Sequence, residues 1–509
     1  MPESQKSPYK LMDMIIPPSE AALPIVDDNI SMTEYSKLST LSHKAFVENQ
    51  RKMYISMRST EDALKDIRRL SIRNKDFCFT SLSHHLTASL LNEAFKQLKP
   101  KAKPGCDGKT WDKYSENLEF NINNLRSRIL SGSYRPLPVL RKYIPKANGK
   151  LRPLGICSIE DKIVQNALRM ILEQIYEPVF ENFSYGFRPD TRAHDALDAL
   201  AVTIETKEVN YILDADIVGC FDNINKNILM EILKMRIKDN RILLIIRKLL
   251  DAGVLDRGEL SFSEDGVVQG SVISPLLANV FLDFVLDKFF VVWSKELGLG
   301  EMYLVRYADD FVICFQYKEE ALRFKKVLED RLMCAGLALS EEKTRLIRFG
   351  KNARNDKENG DIEKPESFNF LGFCHNCSIT WKTGLFKLLR TTISSRMEKK
   401  IIDIEGRLET WLGCAGIQFT ISWLNMVLKG YYGYFAVHGN LDTLSTFRYR
   451  ICVIFFKALH RLSQRCIWNW DKFNRHIGKY IIIPKVQHSY PRFRIKERQE
   501  FLHKCRYEV

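Results

Sequence analysis

LVRYADDFVICF, residues Leu304–Phe315, sets two aspartates side by side between two apolar runs. The runs read as two strands around a tight turn. Asp309 and Asp310 then sit at a strand end, where burying adjacent carboxylates is costly unless a cation or strong donors meet them. A second apolar strand ending in acids, VNYILDADIVGCFDNIN, lies about a hundred residues earlier and carries Asp214, Asp216 and Asp222. Carboxylates converging from two adjacent strands make a hard-oxygen site suited to Mg2+. Two such ions about 3.5–4 Å apart would stabilise the attacking and leaving oxygens of an in-line phosphoryl transfer. The bland alternative is a hairpin turn with solvent-exposed acids.

The chain has 509 residues, enough for two to four domains. Its net charge of +15 is unevenly placed. From Trp381 onward, 23 Lys and Arg face 9 Asp and Glu; the preceding 380 residues are nearly neutral. A basic, aromatic-rich region suggests a polyanion partner, nucleic acid first. The twelve cysteines show no framework spacing and read as reduced thiols. CHNC, Cys374–Cys377, is a lone pair of thiols, short of the four ligands of structural zinc. No run of about 18 apolar residues and no secretory signal is seen, so the expectation is a cytoplasmic protein with no membrane partner.

Pattern and caps predict the local elements. STEDALKDIRRL reads as a helix capped by Ser59 or Thr60, and NLEFNINNLRSRILSG as one that stops at Gly132. PVLRKYIPKANGKLRPLGI reads as two strands joined at Asn148-Gly149. SIEDKIVQNALRMILEQIYEPVF is a long helix capped by Ser158, with Asp161 at its third position. SPLLANVFLDFVLDKFF is a buried helix entered through Ser274-Pro275. From about residue 390 the pattern turns helical and basic.

These segments carry a resemblance. YADD flanked by LVR and FVICF is similar to the active-site hairpin of reverse transcriptases. GKLRPLGICSIEDKIVQNAL, FSYGFRPDTRAHDAL, DADIVGCFDNI, VVQGSVISPLLANVFLDFVLD, LSEEKT and FNFLGF follow the order of the group II intron reverse transcriptases. WLNMVLKGYYGYFAVHGN and HSYPRFR resemble that family's thumb and maturase region. The resemblance runs from about residue 60 to about 495. It implies an α+β right-hand polymerase, with fingers and an antiparallel palm sheet followed by an α-helical thumb. The implied divisions are an N-terminal extension (1–60), fingers (61–213), palm (214–380) and a basic thumb and maturase-like region (381–509).

The resemblance also implies roles. Asp216, Asp309 and Asp310 would be the catalytic, metal-binding carboxylates for two Mg2+, with Mn2+ as a substitute. Lys146 and Arg152 would meet the triphosphate of the dNTP, where arginine offers paired donors and lysine a point charge. Phe221 would be the gate against a 2′-hydroxyl, Gln269 would lie beside the nascent base pair, and Lys343 near the leaving pyrophosphate. Asp214 and Asp222 read as structural acids. His194 is expected to pack or touch template. Trp423, Tyr431, Tyr432 and Tyr434 are expected to hold the thumb together. Arg461, Arg465, Lys472, Arg475, Arg492 and Arg494 are the candidates for the RNA backbone.

The expected partners are an RNA template, nascent cDNA and dNTPs, with a homo-oligomer as a further option. QGS, GICS and DADIVGCFDNINKN depart from the forms usual in the family, and no HNH endonuclease pattern follows HSYPRFR. The departures and the unmatched extension favour work with a dedicated non-coding RNA, as in antiphage defence. The alternative is an intron maturase that splices and copies its own intron. A non-catalytic RNA-binding module is the third option, against which the three aspartates argue.

Overall fold

The structure is a computed structural model that describes residues 59–145, 151–263, 265–353, 365–380, 383–462, 468–492 and 494. The N-terminal extension up to residue 58, Lys146, the turn at Asn148-Gly149 and Arg465 lie outside the described residues. The predicted caps form as the sequence suggests. Ser59 caps the helix Thr60–Arg73, its Oγ accepting from the Asp62 amide at 3.1 Å. Ser158 caps Ile159–Tyr176 in the same way through the Asp161 amide, at 3.2 Å.

The fingers carry β1 (Val139–Pro145) and β2 (Leu151–Ile156), an antiparallel pair. β3 (Tyr211–Asp216) opens the palm, and β4 (Val254–Asp256) and β5 (Glu259–Ser261) extend the fingers sheet to the order β2-β1-β4-β5. β6 (Met302–Tyr307), β7 (Asp310–Phe315) and β8 (Arg345–Arg348) complete the palm sheet, β6-β7-β3-β8, antiparallel throughout. β9 (Phe368–Phe370), β10 (Phe373–Ile379) and β11 (Phe386–Thr392) form a third sheet, which runs across position 380. Phe368 and Phe370 of FNFLGF are core residues.

The palm sheet separates two hydrophobic cores, and the strand period of two assigns residues to each. Leu213 and Ala215 of β3, with Phe311, Ile313 and Phe315 of β7, pack toward the fingers and the long helices. Ile212, Val312 and Cys314 pack on the opposite face, toward the third sheet and the thumb. Asp214, Asp216 and Asp310 share the parity of this second set, so they emerge on the thumb side of the sheet.

The thumb is the helix Ser394–Phe435 packed against Leu441–Leu462. The long helix breaks at Gly416, whose φ of 78° and ψ of 175° are not helical. By length and composition it could cross a membrane, contrary to the expectation that no such run exists, and only 22% of its apolar window is buried. Its inward stripe, Leu412, Leu424, Leu428 and Tyr432, belongs to the second core. Tyr431 and Phe447 stack at 4.4 Å. Tyr431, Tyr432, which is buried, and Tyr434, stacked on Phe373 at 5.7 Å, therefore hold the fold together.

A clasp joins thumb, third sheet and palm. Asp198, on the helix Ala193–Thr206, is 1% exposed. It accepts from Arg390 of β11 at 3.0 Å and from Arg494 at 2.6 Å. Arg494, expected at an RNA-facing surface, is thus engaged inside the protein, because the buried carboxylate needs its charge. His194 sits in the same contact region, between the rings of His488 (3.9 Å) and Tyr434 (5.0 Å), which fits the packing role expected of it. Asp198→Ala would strand the buried guanidinium of Arg390 and the partly buried one of Arg494, and is expected to cost about 3–5 kcal/mol. The midpoint of urea denaturation should fall accordingly, and fall less for Arg494→Ala.

Candidate active site

In the β3–β7 register Asp216 lies directly opposite Asp310. Like charges so placed repel. Tyr307 pairs with Asp310 across the neighbouring hairpin, so Ala308 and Asp309 form a two-residue turn. Ala308 takes a φ of 59°, which a small side chain tolerates better than a bulky one. The Asp310 carboxyl is pushed up to about 7, by burial first and then by Asp214, Asp309 and Asp216. Asp309 is raised by burial and by Asp216, against the pull of Arg152 and Lys343. Asp214, partly met by Arg345 at 3.6 Å, is raised to about 6, chiefly by burial. Asp222 is exposed and forms part of the turn after β3, its amide donating to the Gly219 carbonyl at 2.8 Å.

What holds the hairpin from behind is a network that the sequence reading did not single out. Arg306 and Asp287 are both 0% exposed. Arg306 donates through Nε to Asp287 Oδ1 at 2.7 Å and through Nη2 to the other carboxylate oxygen. Its Nη1 reaches Asn279 Oδ1 at 3.1 Å and the carbonyl of Ala308, in the turn itself, at 3.0 Å. Asn279 in turn donates to the carbonyl of Gly186 at 2.7 Å. Gly186 lies so close to the turn that a Cβ there would stand 2.2 Å from the Ala308 nitrogen. The signal was present in ANVFLDFVLDKFF, where Asn279, Asp283 and Asp287 recur every four residues in an otherwise apolar helix.

The fingers close the other side. Arg152 of β2 donates from Nε to Gln269 Oε1 at 2.8 Å, and the Gly155 amide donates to the Gln269 carbonyl at 2.6 Å. Gly270 has a φ of 101°, and a Cβ there would meet the Gly155 carbonyl oxygen at 2.6 Å. Phe221 is almost buried on the one-turn helix Cys220–Asn223. Lys343 Nζ stands 2.5 Å from Asp216 Oδ2, and this contact raises its pKa. The structure thus brings Arg152, Gln269, Phe221 and Lys343 to the same end of the palm as the three aspartates.

As they stand, the described residues gather no three His, Cys, Asp or Glu side chains closely enough to hold a metal ion. Asp216 is drawn to Lys343 instead. The donor chemistry nevertheless fits a hard divalent cation, because these are oxygen donors whose burial and mutual repulsion raise their pKa, a penalty that a bound cation would relieve. Of the cations expected to face RNA, Arg475 and Arg492 are exposed, Lys472 lies 5.3 Å over the Trp468 ring, and Arg461 pairs with Glu409. Cys374 and Cys377 lie on β10, three residues apart along the strand.

An antiparallel palm bearing carboxylates at the ends of two adjacent strands, flanked by a fingers hairpin and followed by a helical thumb, defines a right-hand polymerase. Residues 144–375 match the reverse transcriptase (RNA-dependent DNA polymerase) family. Protein YkfC of Escherichia coli is 34% identical over 277 residues, which cover 48% of this chain and 72% of that protein. The group II intron-encoded protein LtrA of Lactococcus lactis subsp. cremoris is 39% identical over 238 residues, 46% of this chain and 39% of its own length. The putative COX1/OXI3 intron 2 protein of Saccharomyces cerevisiae is 39% identical over 192 residues, 36% and 22% of the two chains. The chain belongs to the group II intron-type reverse transcriptase/maturase family, and its catalytic domain is an RNA-directed DNA polymerase. Domains of this kind use divalent metal ions, copy an RNA template and yield DNA.

Two variants test the support behind the hairpin. Asp287→Ala leaves Arg306 buried without a counter-charge and should lower stability by about 3–5 kcal/mol, read by urea denaturation. Gly186→Ala should displace the Ala308–Asp309 turn. A shift of about 1 Å would cost roughly a hundredfold in the rate of primer extension, with a much smaller change in melting temperature.

Proposed function

We propose that this protein extends a primer 3′-hydroxyl with dNTPs along a structured RNA, using two Mg2+ ions. The observation that supports it most is the facing of Asp216 and Asp310 across β3 and β7, with Asp309 in the adjoining turn. Asp216, Asp309 and Asp310 would hold the ions, which when bound supply charge stabilisation for the attacking and leaving oxygens. The protein's own groups then position the reactants. Arg152, steadied by Gln269, presents a guanidinium to the triphosphate, and Lys146, outside the described residues, would add a point charge to it. Gly270 lets backbone lie close against the nascent pair. Phe221 fills the space a 2′-hydroxyl would need. Lys343, kept protonated by its carboxylate neighbour, holds a proton at Nζ for the leaving group. Arg461, Lys472, Arg475 and Arg492 meet RNA phosphates.

The template we infer is a dedicated non-coding RNA, in the manner of antiphage reverse transcriptases. The QGS, GICS and DADIVGCFDNINKN departures support this reading. A group II intron RNA is the second reading, favoured by the names of LtrA and the COX1 intron 2 protein.

The test is to purify the protein from its host and sequence the RNA and DNA that accompany it. The double variant Asp309→Ala with Asp310→Ala serves as control. Primer extension is expected to vanish in the control. One short non-coding RNA with complementary DNA that disappears in the control supports the dedicated template. Spliced intron lariat that persists in the control supports the maturase. Extension that survives in the control overturns the assignment of the site.

A further inference from the structure

Phe187, in SYGFRPDTR, combines two features that nothing local favours. Its φ is 56°, in the left-handed region that bulky residues rarely enter. The residue is 54% exposed, so burial offsets little of the strain. The neighbours impose both features. On one side Gly186 is wedged under the Ala308 turn, with its carbonyl held by Asn279 at 2.7 Å. On the other side the Arg188 guanidinium binds Glu177 at 2.9 and 2.8 Å. It also donates to the carbonyls of Glu181 and Ser184, at 2.6 and 2.7 Å. Thr191 Oγ1 donates to the carbonyl of Arg188 at 3.0 Å. The backbone of Phe187 is fixed from both ends. Strain that is over-determined in this way is found at sites of function.

The ring has a specific neighbour. It meets Phe221 edge to face, with centroids 6.3 Å apart and planes at 85°. Phe221 stands two residues after Gly219, whose φ is 51°, and the Phe221 carbonyl accepts from the Val267 amide at 2.7 Å. That anchors the backbone of the residue, and its largely buried ring is bounded by the fingers-side core and by the ring of Phe187. A ring excludes a 2′-hydroxyl only if it cannot swing aside.

We propose that Phe187 is a positioning residue for the sugar gate. It props the ring of Phe221 in the orientation that separates deoxyribonucleoside from ribonucleoside triphosphates. The proposal rests on the reading of Phe221 as that gate.

The experiment measures kcat/KM for single dNTP and matching rNTP additions by the full chain on a primed RNA template. Phe187→Asn keeps a residue that tolerates left-handed backbone and removes the ring. Its dNTP-to-rNTP ratio is expected to fall about 3- to 10-fold, mainly through faster rNTP addition. Phe187→Tyr should restore the ratio, and Phe187→Leu should give an intermediate one. Phe221→Ala should lower the ratio further, and Phe187→Asn added to it should change nothing more. If Phe221→Ala collapses the ratio while Phe187→Asn leaves it at the wild-type value, the gate stands and the proposal falls. A Phe187→Asn enzyme slowed equally on both substrates also overturns it. If Phe221→Ala leaves the ratio unchanged, the gate reading fails, and Phe187 has nothing to position.

Discussion

The contact on which the catalytic end of this molecule depends is the ion pair between Arg306 and Asp287. Both side chains are fully buried, and neither would be tolerated there alone. Together they fix the Ala308 carbonyl, Asn279 and, through Asn279, the carbonyl of Gly186. The YADD turn is therefore fastened from beneath by the helix that passes under it. This matters because the turn must keep acids close together against their own repulsion. A hairpin left to relax would carry Asp309 away from Asp216. The buried pair adds little net stability compared with an apolar substitute; what it contributes is a defined position.

The second constraint is the two-sided character of the palm sheet. β7 is buried along almost its whole length, and alternate residues enter different cores. Parity alone then sends Asp214, Asp216 and Asp310 to one face. A slip of one residue between β3 and β7 would send each to the other face, together with its apolar neighbours. The same register that buries Phe311 and Ile313 thus aligns the acids.

Much of this was legible in the sequence. Ser59 and Ser158 announced their helices because capping is local chemistry. The palm strands were readable as short apolar runs ending in acids, and the order of motifs gave their arrangement. Arg152, Gln269 and Lys343 were placed by motif, and the structure brings them to the carboxylates. Less visible was whatever depends on distant partners. Arg494 looks like any basic residue in a basic stretch, and only the buried Asp198, 296 residues earlier, shows what it meets. Gly186 reads as an ordinary loop glycine until the approach of Ala308 is known. The long thumb helix gave no sign of its break at Gly416, since Gly413 and Gly406 lie in the same helix without breaking it.

The Asp198 clasp also imposes an order in time. A ribosome adding about 5–20 residues per second needs roughly 15–60 s to pass from Asp198 to Arg494. Once β8 has been made, the fingers-side core has all its strands, whereas the thumb-side face of the palm still lacks its cover. The nascent chain therefore carries an open apolar surface and an unmet buried acid until its basic region emerges. Nucleic acid drawn early to that basic region would compete with the closing of the palm. Synthesis, and not only folding equilibrium, becomes a stage at which this enzyme can be lost.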